Sequence, residues 1–178
     1  MNIYHLEDSS FIYGPGCRYV IWVQGCSIRC KGCWNKEMWP FDIVNDIPVN
    51  EMVSFILKEK DIIEGVTILG GEPFDQFDEL LELTKQIKKM DLSIIVYTGY
   101  EKKELVQKHY LDILNYIDVL ISGRFIEHQK TLQTGLTGSS NQLIECISDK
   151  YTNDCFVTSN EVEISILETG AIDIYGYL

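Results

Sequence analysis

Tyr19-Val-Ile-Trp-Val-Gln-Gly-Cys-Ser-Ile-Arg-Cys-Lys-Gly-Cys33 joins an apolar run of strand length to three cysteines with CxxxCxxC spacing. The run predicts a buried strand, so Cys26, Cys30 and Cys33 lie in the loop at its carboxyl end. Three thiols this close indicate one metal centre. A disulfide would leave one thiol over, and structural zinc takes a fourth ligand that no nearby Cys or His supplies. A four-iron cluster on three thiolates fits this set, and leaves one iron free for a small-molecule ligand.

Size and charge narrow the function classes. With 178 residues and 46% hydrophobic content, we expect a single domain over residues 1–178. A net charge of -12 argues against nucleic acid as a partner, because such binding draws on clustered Lys and Arg. No apolar run approaches the roughly 20 residues that span a bilayer, and the first eight residues lack signal-peptide features. We therefore expect a cytoplasmic protein without a membrane partner, whose six cysteines are reduced or metal-bound.

The segment around the three cysteines departs from this acidic average. Between positions 17 and 36 it has no Asp or Glu, and its cations are Arg18, Arg29, Lys31 and Lys36. A locally positive field can mark a docking face for an acidic electron donor. The same cations can equally serve to offset negative thiolates, and the sequence leaves both interpretations open.

Strand-like and helix-like segments alternate along the chain. After 19–24, the predicted strands are 65–69, 92–98, 118–122 and 143–147, and the predicted helices are 49–60, 76–90 and 101–117. Apolar strands separated by amphipathic helices indicate an α/β fold with a mostly parallel sheet. Ligands collect at the carboxyl ends of such strands. We expect the cysteine loop and the turns at 70–73, 98–100 and 123–124 to converge on one site.

Beyond about residue 149 the pattern changes to short stretches at 155–157, 162–167 and 171–175. The last two bracket Glu168-Thr-Gly170, where glycine can take the positive φ that a hairpin turn needs. We expect a small C-terminal β-hairpin extension over about residues 149–178, on the same domain.

Six motifs follow one another in fixed order. They are Gly14-Pro-Gly-Cys-Arg18, Gly25-Cys26 with Cys33-Trp-Asn35, Gly70-Gly-Glu-Pro73, Val96-Tyr-Thr-Gly-Tyr100, Gly123-Arg-Phe125 and Gly138-Ser-Ser-Asn-Gln142. Together they resemble the radical S-adenosylmethionine superfamily, and within it the small activases that install a glycyl radical on a partner enzyme. The nearest resemblance is to the group that serves anaerobic ribonucleoside-triphosphate reductase. It implies an incomplete (βα) barrel.

The resemblance also implies cofactors and partners. The cofactors are a [4Fe-4S] cluster on Cys26, Cys30 and Cys33, with its loop at 26–33, and S-adenosyl-L-methionine, which is reductively cleaved. Contacts to the latter are implied for Gly70, Gly71, Glu72, Thr98, Asn35, Ser139, Ser140 and Asn141. Ordinary turn and capping roles explain the later Thr, Ser and Asn residues about equally well. The implied partners are a glycyl-radical enzyme, the anaerobic ribonucleotide reductase, and a flavodoxin- or ferredoxin-type electron donor.

Several features depart from the resembling group. Cys17 stands where Thr or Ser is common, and a fourth thiolate reaching the cluster would close the open iron. Ser122 stands where Asp is usual, and the tail is longer. We expect Cys146 and Cys155 to be small core residues. Two other functions stay open at this point: a radical enzyme that modifies a peptide or small molecule, and a non-catalytic zinc or iron–sulfur module.

Overall fold

The computed structural model describes residues 1–131, 136–156, 162–166, 169–170 and 172–176. In chain order its strands and longer helices are β1 (Asn2–Ser10), β2 (Arg18–Val23), β3 (Asn45–Asp46), α1 (Val49–Glu59), β4 (Gly65–Gly70), α2 (Phe77–Lys88), β5 (Ser93–Thr98), α3 (Lys102–Gln107), β6 (Val119–Ser122), β7 (Leu143–Cys146), β8 (Val162–Ile166) and β9 (Ile172–Gly176). Short 3₁₀ turns lie at Lys36–Met38, Pro73–Gln76, Leu111–Asn115, Glu127–Gln129 and Asn153–Phe156. Every helix within these residues is too short or too polar to span a bilayer.

The main sheet has the strand order β3-β1-β2-β4-β5-β6-β7. Its centre is parallel, because β2, β4, β5 and β6 pair in the same direction. Both margins are antiparallel, with β1 on β2, β3 on β1 and β7 on β6. The predicted α/β class with a parallel centre is confirmed.

The core lies mainly between the sheet and the helices. Alternate residues of the central strands, such as Tyr19, Ile21 and Ile68, are buried in one cluster with residues of α1 and α2 such as Met52 and Leu83. The intervening residues of the same strands face the other way and form two smaller clusters, which are built around Trp22 and Ile121. Helices thus cover one face, and loops cover the other.

The predicted helix over 101–117 is wrong as a single element. It ends at Gln107, and the chain resumes in a separate 3₁₀ turn over Leu111–Asn115. His109 takes a left-handed φ of 59°, its N–H donates to Val106 O, and the N–H of Tyr110 donates to Leu105 O. This is a Schellman motif at the helix C-terminus, with His in place of the usual glycine. Because no glycine marks this helix end, the apolar periodicity predicts a helix that is too long.

Other boundaries differ at the two ends of the chain. Strand β1 was not predicted, and register shifts between Ile3 and His5 and between Glu7 and Ser10 explain why its alternation is weak. The stretch predicted as extended at 155–157 lies in a 3₁₀ turn up to Phe156, and residue 157 is outside the described residues. The C-terminal hairpin is confirmed as the pair β8–β9, although residues 167, 168 and 171 near its turn are also outside them.

The starting end of β2 holds a buried cation. Arg18 is fully buried, and its guanidinium donates to Thr67 Oγ1 at 2.6 Å, Ser93 Oγ at 3.1 Å and Val66 O at 2.8 Å, with further bonds to Pro15 O and Tyr151 Oη. The prediction that Arg18 contributes to a charged docking face is therefore wrong, because its charge lies inside the sheet.

Candidate active site

Loops from the carboxyl ends of the parallel strands β2, β4, β5 and β6 line one cavity of about 160 Å³. The predicted site residues in its wall are Cys26, Cys30, Cys33, Asn35, Gly70, Gly71, Glu72 and Thr98. The convergence that the strand ends predicted is confirmed. Cys17 is not in this wall, because it directly precedes β2 and so lies at the opposite end of that strand from the cysteine loop.

The cysteine loop turns through two left-handed residues, Arg29 with φ 51° and Gly32 with φ 77°. The N–H of Cys33 donates to the carbonyl of Cys30 at 3.1 Å. Cys26 is buried, whereas Cys30 and Cys33 are partly exposed, and all three are free thiols. The loop therefore presents reduced sulfur on the wall of the cavity.

Burial and backbone N–H groups shift the pKa of these thiols in opposite directions. Burial raises the pKa of Cys26, while the N–H groups of Arg29 and Ile28 bond to its sulfur and lower the pKa. Burial also raises the pKa of Cys30, which the N–H of Phe125 opposes. Hydrogen bonds to thiolate sulfur stabilise it and tune iron–sulfur clusters. Among the described residues, no three His, Cys, Asp or Glu side chains converge closely enough to hold a metal ion, so the thiols share a wall and not one point.

The glycine turn after β4 packs backbone to backbone against the cysteine loop. A Cβ at Gly71 would lie 2.2 Å from the carbonyl oxygen of Gly25 and 2.9 Å from that of Met38. The N–H of Gly71 donates to Val23 O, and the N–H of Glu72 donates to Gly25 O, both at 2.8 Å. Glycine is therefore required at position 71 by the close approach of two loops.

Glu72 is a buried carboxylate held by three donors. Its Oε1 accepts from the N–H of Phe74 at 3.0 Å and from Thr98 Oγ1 at 2.8 Å, and its Oε2 accepts from the N–H of Gly99 at 2.7 Å. Burial raises its pKa to about 7, although these hydrogen bonds favour the charged form. Because a carboxylate oxygen has two lone pairs, Oε2 can still accept one further donor from a bound group.

The later polar residues lie apart from this cavity. Ser139 is fully buried and its Oγ accepts from the N–H of Ile126 at 3.1 Å, while the N–H of Ser140 donates to Gln129 O. Asn141 lines a second cavity, described below. A role for these three residues in cofactor binding stays a prediction.

Their neighbour Gln142 was not singled out from the sequence, although it does line the cavity. Its Oε1 accepts from the N–H groups of Gly138 and Ser139, and its Nε2 donates to Gly123 O at 3.0 Å. Gln142 therefore fastens its loop to the end of β6. The signal was present, since Gln142 closes the last of the six motifs.

The aromatic side chains of the cavity wall were also not predicted from the sequence as site residues. Trp34 lies beside Phe125 with ring centroids 5.7 Å apart, and both line the cavity together with Trp39 and Tyr97. The indole Nε1 of Trp39 is buried and finds no acceptor among the described residues. The carbonyl of Trp39 accepts from the N–H of Cys26, so the backbone of this residue is held against the cysteine loop.

The residues present fit a sulfur-bound cluster with a polar ligand beside it. Soft thiols are the ligands that iron–sulfur clusters take, and N–H donors already lie at two of them. The orphan indole N–H of Trp39 and the remaining lone pair on Glu72 are a donor and an acceptor that a polar ligand can satisfy. This wall can therefore hold a redox group and orient a second molecule next to it.

Comparisons with known proteins agree with this chemistry. Residues 12–145 match the family described as 4Fe-4S single cluster domain. The anaerobic ribonucleoside-triphosphate reductase-activating protein of Haemophilus influenzae is 33% identical over 151 residues, covering 81% of this chain and 97% of that protein. Its counterpart from Enterobacteria phage T4 is 32% identical over 149 residues, covering 80% of this chain and 92% of its own.

Two further likenesses are more partial. The pyruvate formate-lyase-activating enzyme of Staphylococcus epidermidis is 30% identical over 149 residues, covering 79% of this chain and 59% of its own. Among solved structures, QueE from Escherichia coli covers 55% of this chain and 50% of its own, with 21% identity and a TM-score of 0.41.

Proposed function

The chain belongs to the family of anaerobic ribonucleoside-triphosphate reductase-activating proteins, and we propose that it is a radical S-adenosylmethionine enzyme that generates a glycyl radical on such a reductase. The observation that carries this proposal is the shared cavity of three free thiols and a glycine turn at the carboxyl ends of parallel strands. A zinc or electron-carrier module needs no such neighbouring wall of glycines, buried carboxylate and aromatic rings.

Each group in the wall has a part in this function. Cys26, Cys30 and Cys33 would hold a [4Fe-4S] cluster, and the N–H groups beside Cys26 and Cys30 would stabilise their thiolates. The cluster and S-adenosylmethionine, when bound, supply one-electron reduction and a carbon radical that removes a hydrogen atom. Gly71 lets the backbone approach closely, and Glu72 offers its remaining lone pair to an ammonium group. Thr98 and Gly99 hold that carboxylate in place.

The partners follow from the same premise. The hydrogen donor would be a backbone glycine of the reductase, and the electron donor a flavodoxin- or ferredoxin-type protein. Arg29, Lys31 and Lys36 support the second assignment, because all three are exposed and lie in or just after the cysteine loop. Acidic donors are attracted by such a face, and the attraction weakens with added salt.

The remaining architecture is also part of the proposal. We take the open sheet as an incomplete (βα) barrel, which is supported by helices on one face and loops on the other. The C-terminal hairpin belongs to the same single domain, since Ser10 Oγ donates to the carboxylate of Glu163. A cytoplasmic location is supported by the six free cysteines.

The test is an anaerobic reconstitution with iron and sulfide, followed by dithionite and S-adenosylmethionine. We expect methionine and 5′-deoxyadenosine, and a glycyl-radical EPR doublet when the anaerobic reductase of the same genome is added. A colourless zinc protein that leaves S-adenosylmethionine intact would overturn the enzyme. Cleavage without any radical on the reductase would overturn the substrate, and would favour a peptide- or small-molecule-modifying enzyme.

A further inference from the structure

A second cavity, of about 470 Å³, adjoins the first. Its wall is built by the first turn of α3, the end of β6 and the strand β7 with the turn before it: Glu101, Lys102, Lys103, Ser122, Gly123, Ile126, Asn141, Leu143 and Glu145. Gly123 lines both cavities, so the two are neighbours at the carboxyl end of β6. We call this second cavity the β7 groove.

Two residues that line the β7 groove each carry an acceptor atom that finds no donor among the described residues. These atoms are Asn141 Oδ1 and Glu145 Oε2, and both are shielded from solvent. The other polar atoms of the same side chains are engaged, because Asn141 Nδ2 donates to Arg124 O at 2.8 Å and Lys102 Nζ donates to Glu145 Oε1 at 2.7 Å. Buried acceptors almost always have partners in folded proteins, so this pair points to donors that the described part of the chain does not supply.

We expect the missing hydrogen-bond donors to be uncharged groups, because the charged side chains that line the groove already form ion pairs with one another. Lys102 bonds Glu145, and Lys103 lies 2.7 Å from the carboxylate of Glu101. A free cation would compete with these lysines, and a free anion would face both carboxylates. Backbone amides are neutral donors that arrive in regularly spaced sets, which suits two acceptors on one wall.

The wall of the groove also includes a strand from the margin of the sheet. Strand β7 is the last strand of the main sheet in the part of the chain that the structure describes, and it pairs with β6 on one side. The other edge of such a strand can accept an added extended segment through main-chain hydrogen bonds. Leu143 and Glu145 share one face of β7 by strand alternation, and Leu143 is 61% exposed.

We propose that the β7 groove binds an extended segment of the protein substrate, whose backbone N–H groups donate to Asn141 and Glu145. The segment then continues past Gly123, which lines both cavities, to the cofactor cavity. This inference rests on the proposed function, because it names the surface by which that site receives its protein partner.

Site-specific photocrosslinking tests the position of the segment. p-Benzoylphenylalanine replaces Leu143 in one variant and the equally apolar, 55% exposed Leu57 of α1 in the control. Irradiation with the anaerobic reductase of the same genome should crosslink the first variant to one continuous stretch of reductase, and the second at background level. Equal crosslinking at both positions, or none at Leu143 with a reductase that is still activated, overturns the groove.

Kinetics test the acceptors. In Glu145→Gln an amide NH₂ replaces one acceptor while the size of the side chain is kept. The matched control is Glu51→Gln, at an exposed position of α1. We expect the KM for reductase to rise about tenfold in the first variant, with little change in kcat, and no change in the control. An unchanged KM in Glu145→Gln overturns the inference alone. A wild-type protein that forms no glycyl radical overturns the proposed function instead, and cleavage of S-adenosylmethionine without reductase reports the cofactor site separately.

Discussion

The two ends of the central parallel strands use polar residues in opposite ways. At the starting ends, Arg18, Ser93 and Asp118 are buried, and their donors and acceptors meet partners within the chain. At the carboxyl ends, the three cysteines Cys26, Cys30 and Cys33 line a shared cavity, and the Trp39 N–H of the same wall has no acceptor in the part of the chain that the structure describes. The polar groups at the starting ends are satisfied by one another, whereas those at the carboxyl ends line a cavity that can hold a ligand.

The difference separates stability from function. A change at the starting ends leaves partners unsatisfied inside the sheet, and its cost falls on folding. A change at the carboxyl ends removes a group that acts on a ligand, so folding should survive while activity is lost. The contrast is wrong if changes at the starting ends leave stability intact, or if changes at the carboxyl ends unfold the protein.

The largest effect should come from Cys30→Ala. The variant removes one of the three proposed sulfur ligands, so we expect cluster content and S-adenosylmethionine cleavage to fall to background. Because Cys30 is partly exposed, the free energy of unfolding of the metal-free protein should change little. Iron and sulfide analysis, the visible absorption of the cluster and chemical denaturation measure the three quantities.

The matched control is Cys155→Ala, because this thiol is not among those that line the cavity and is exposed, so the expectation that it is a core residue is wrong. It should keep the cluster and full turnover. Retained cleavage in Cys30→Ala would show that Cys30 is not a ligand, and would remove the functional half of the comparison.

A large loss of stability should come from Arg18→Met. The guanidinium donates to Thr67, Ser93 and Val66, and within the described residues no carboxylate pairs with it, so its removal leaves several buried acceptors unsatisfied. We expect the free energy of unfolding to fall by about 3–5 kcal/mol, measured by urea denaturation of the metal-free protein. Correctly folded molecules should still take up a cluster.

Arg29→Met is the control for charge alone, because Arg29 is exposed in the cysteine loop. It should change the free energy of unfolding by less than about 0.5 kcal/mol. If both variants lost equal stability, the buried network at the starting ends would not be the cause.

The same contrast explains what the sequence could predict. The place of the three cysteines and of the Gly70-Gly71-Glu72 turn in one cavity wall can be predicted from the sequence, because each segment is recognisable locally and follows an apolar strand. The end of α3 was missed because the left-handed residue that ends it is His109, and no Gly or Pro marks the place.

Residues placed by tertiary contacts were harder to assign. Asn141 lines the neighbouring groove, where its Nδ2 donates to Arg124 O, and its predicted role in cofactor binding stays a prediction. Arg18 belongs by sequence to the cations around the cysteines, because sequence distance does not reveal that it is buried at the other end of β2. Nothing in the local pattern distinguishes these cases, since the decisive neighbours are far away in the chain.

The smallest expected effect concerns Asp118, and it depends on pH. Burial would raise the pKa of this carboxyl, but hydrogen bonds from Ser148 Oγ at 2.6 Å, Ile94 N at 2.9 Å and Lys88 Nζ at 3.0 Å outweigh burial and lower it. A group whose pKa is lower in the folded state adds stability above its unfolded pKa, which is about 3.9 for Asp, and loses it as the pH falls further.

Asp118→Asn keeps the shape but not the charge, so we expect it to lower the free energy of unfolding by about 1–2 kcal/mol at pH 7. Between pH 7 and 5 the gap to the wild type should stay constant. Below about pH 4 it should narrow, because the wild type then gains the proton that the variant never needs. Urea denaturation across this range measures the gap. If the gap widened in acid, the pKa of Asp118 would be higher in the folded than in the unfolded protein. The hydrogen bonds at the starting ends would then not outweigh the effect of burial, and the contrast with the cavity end would be lost.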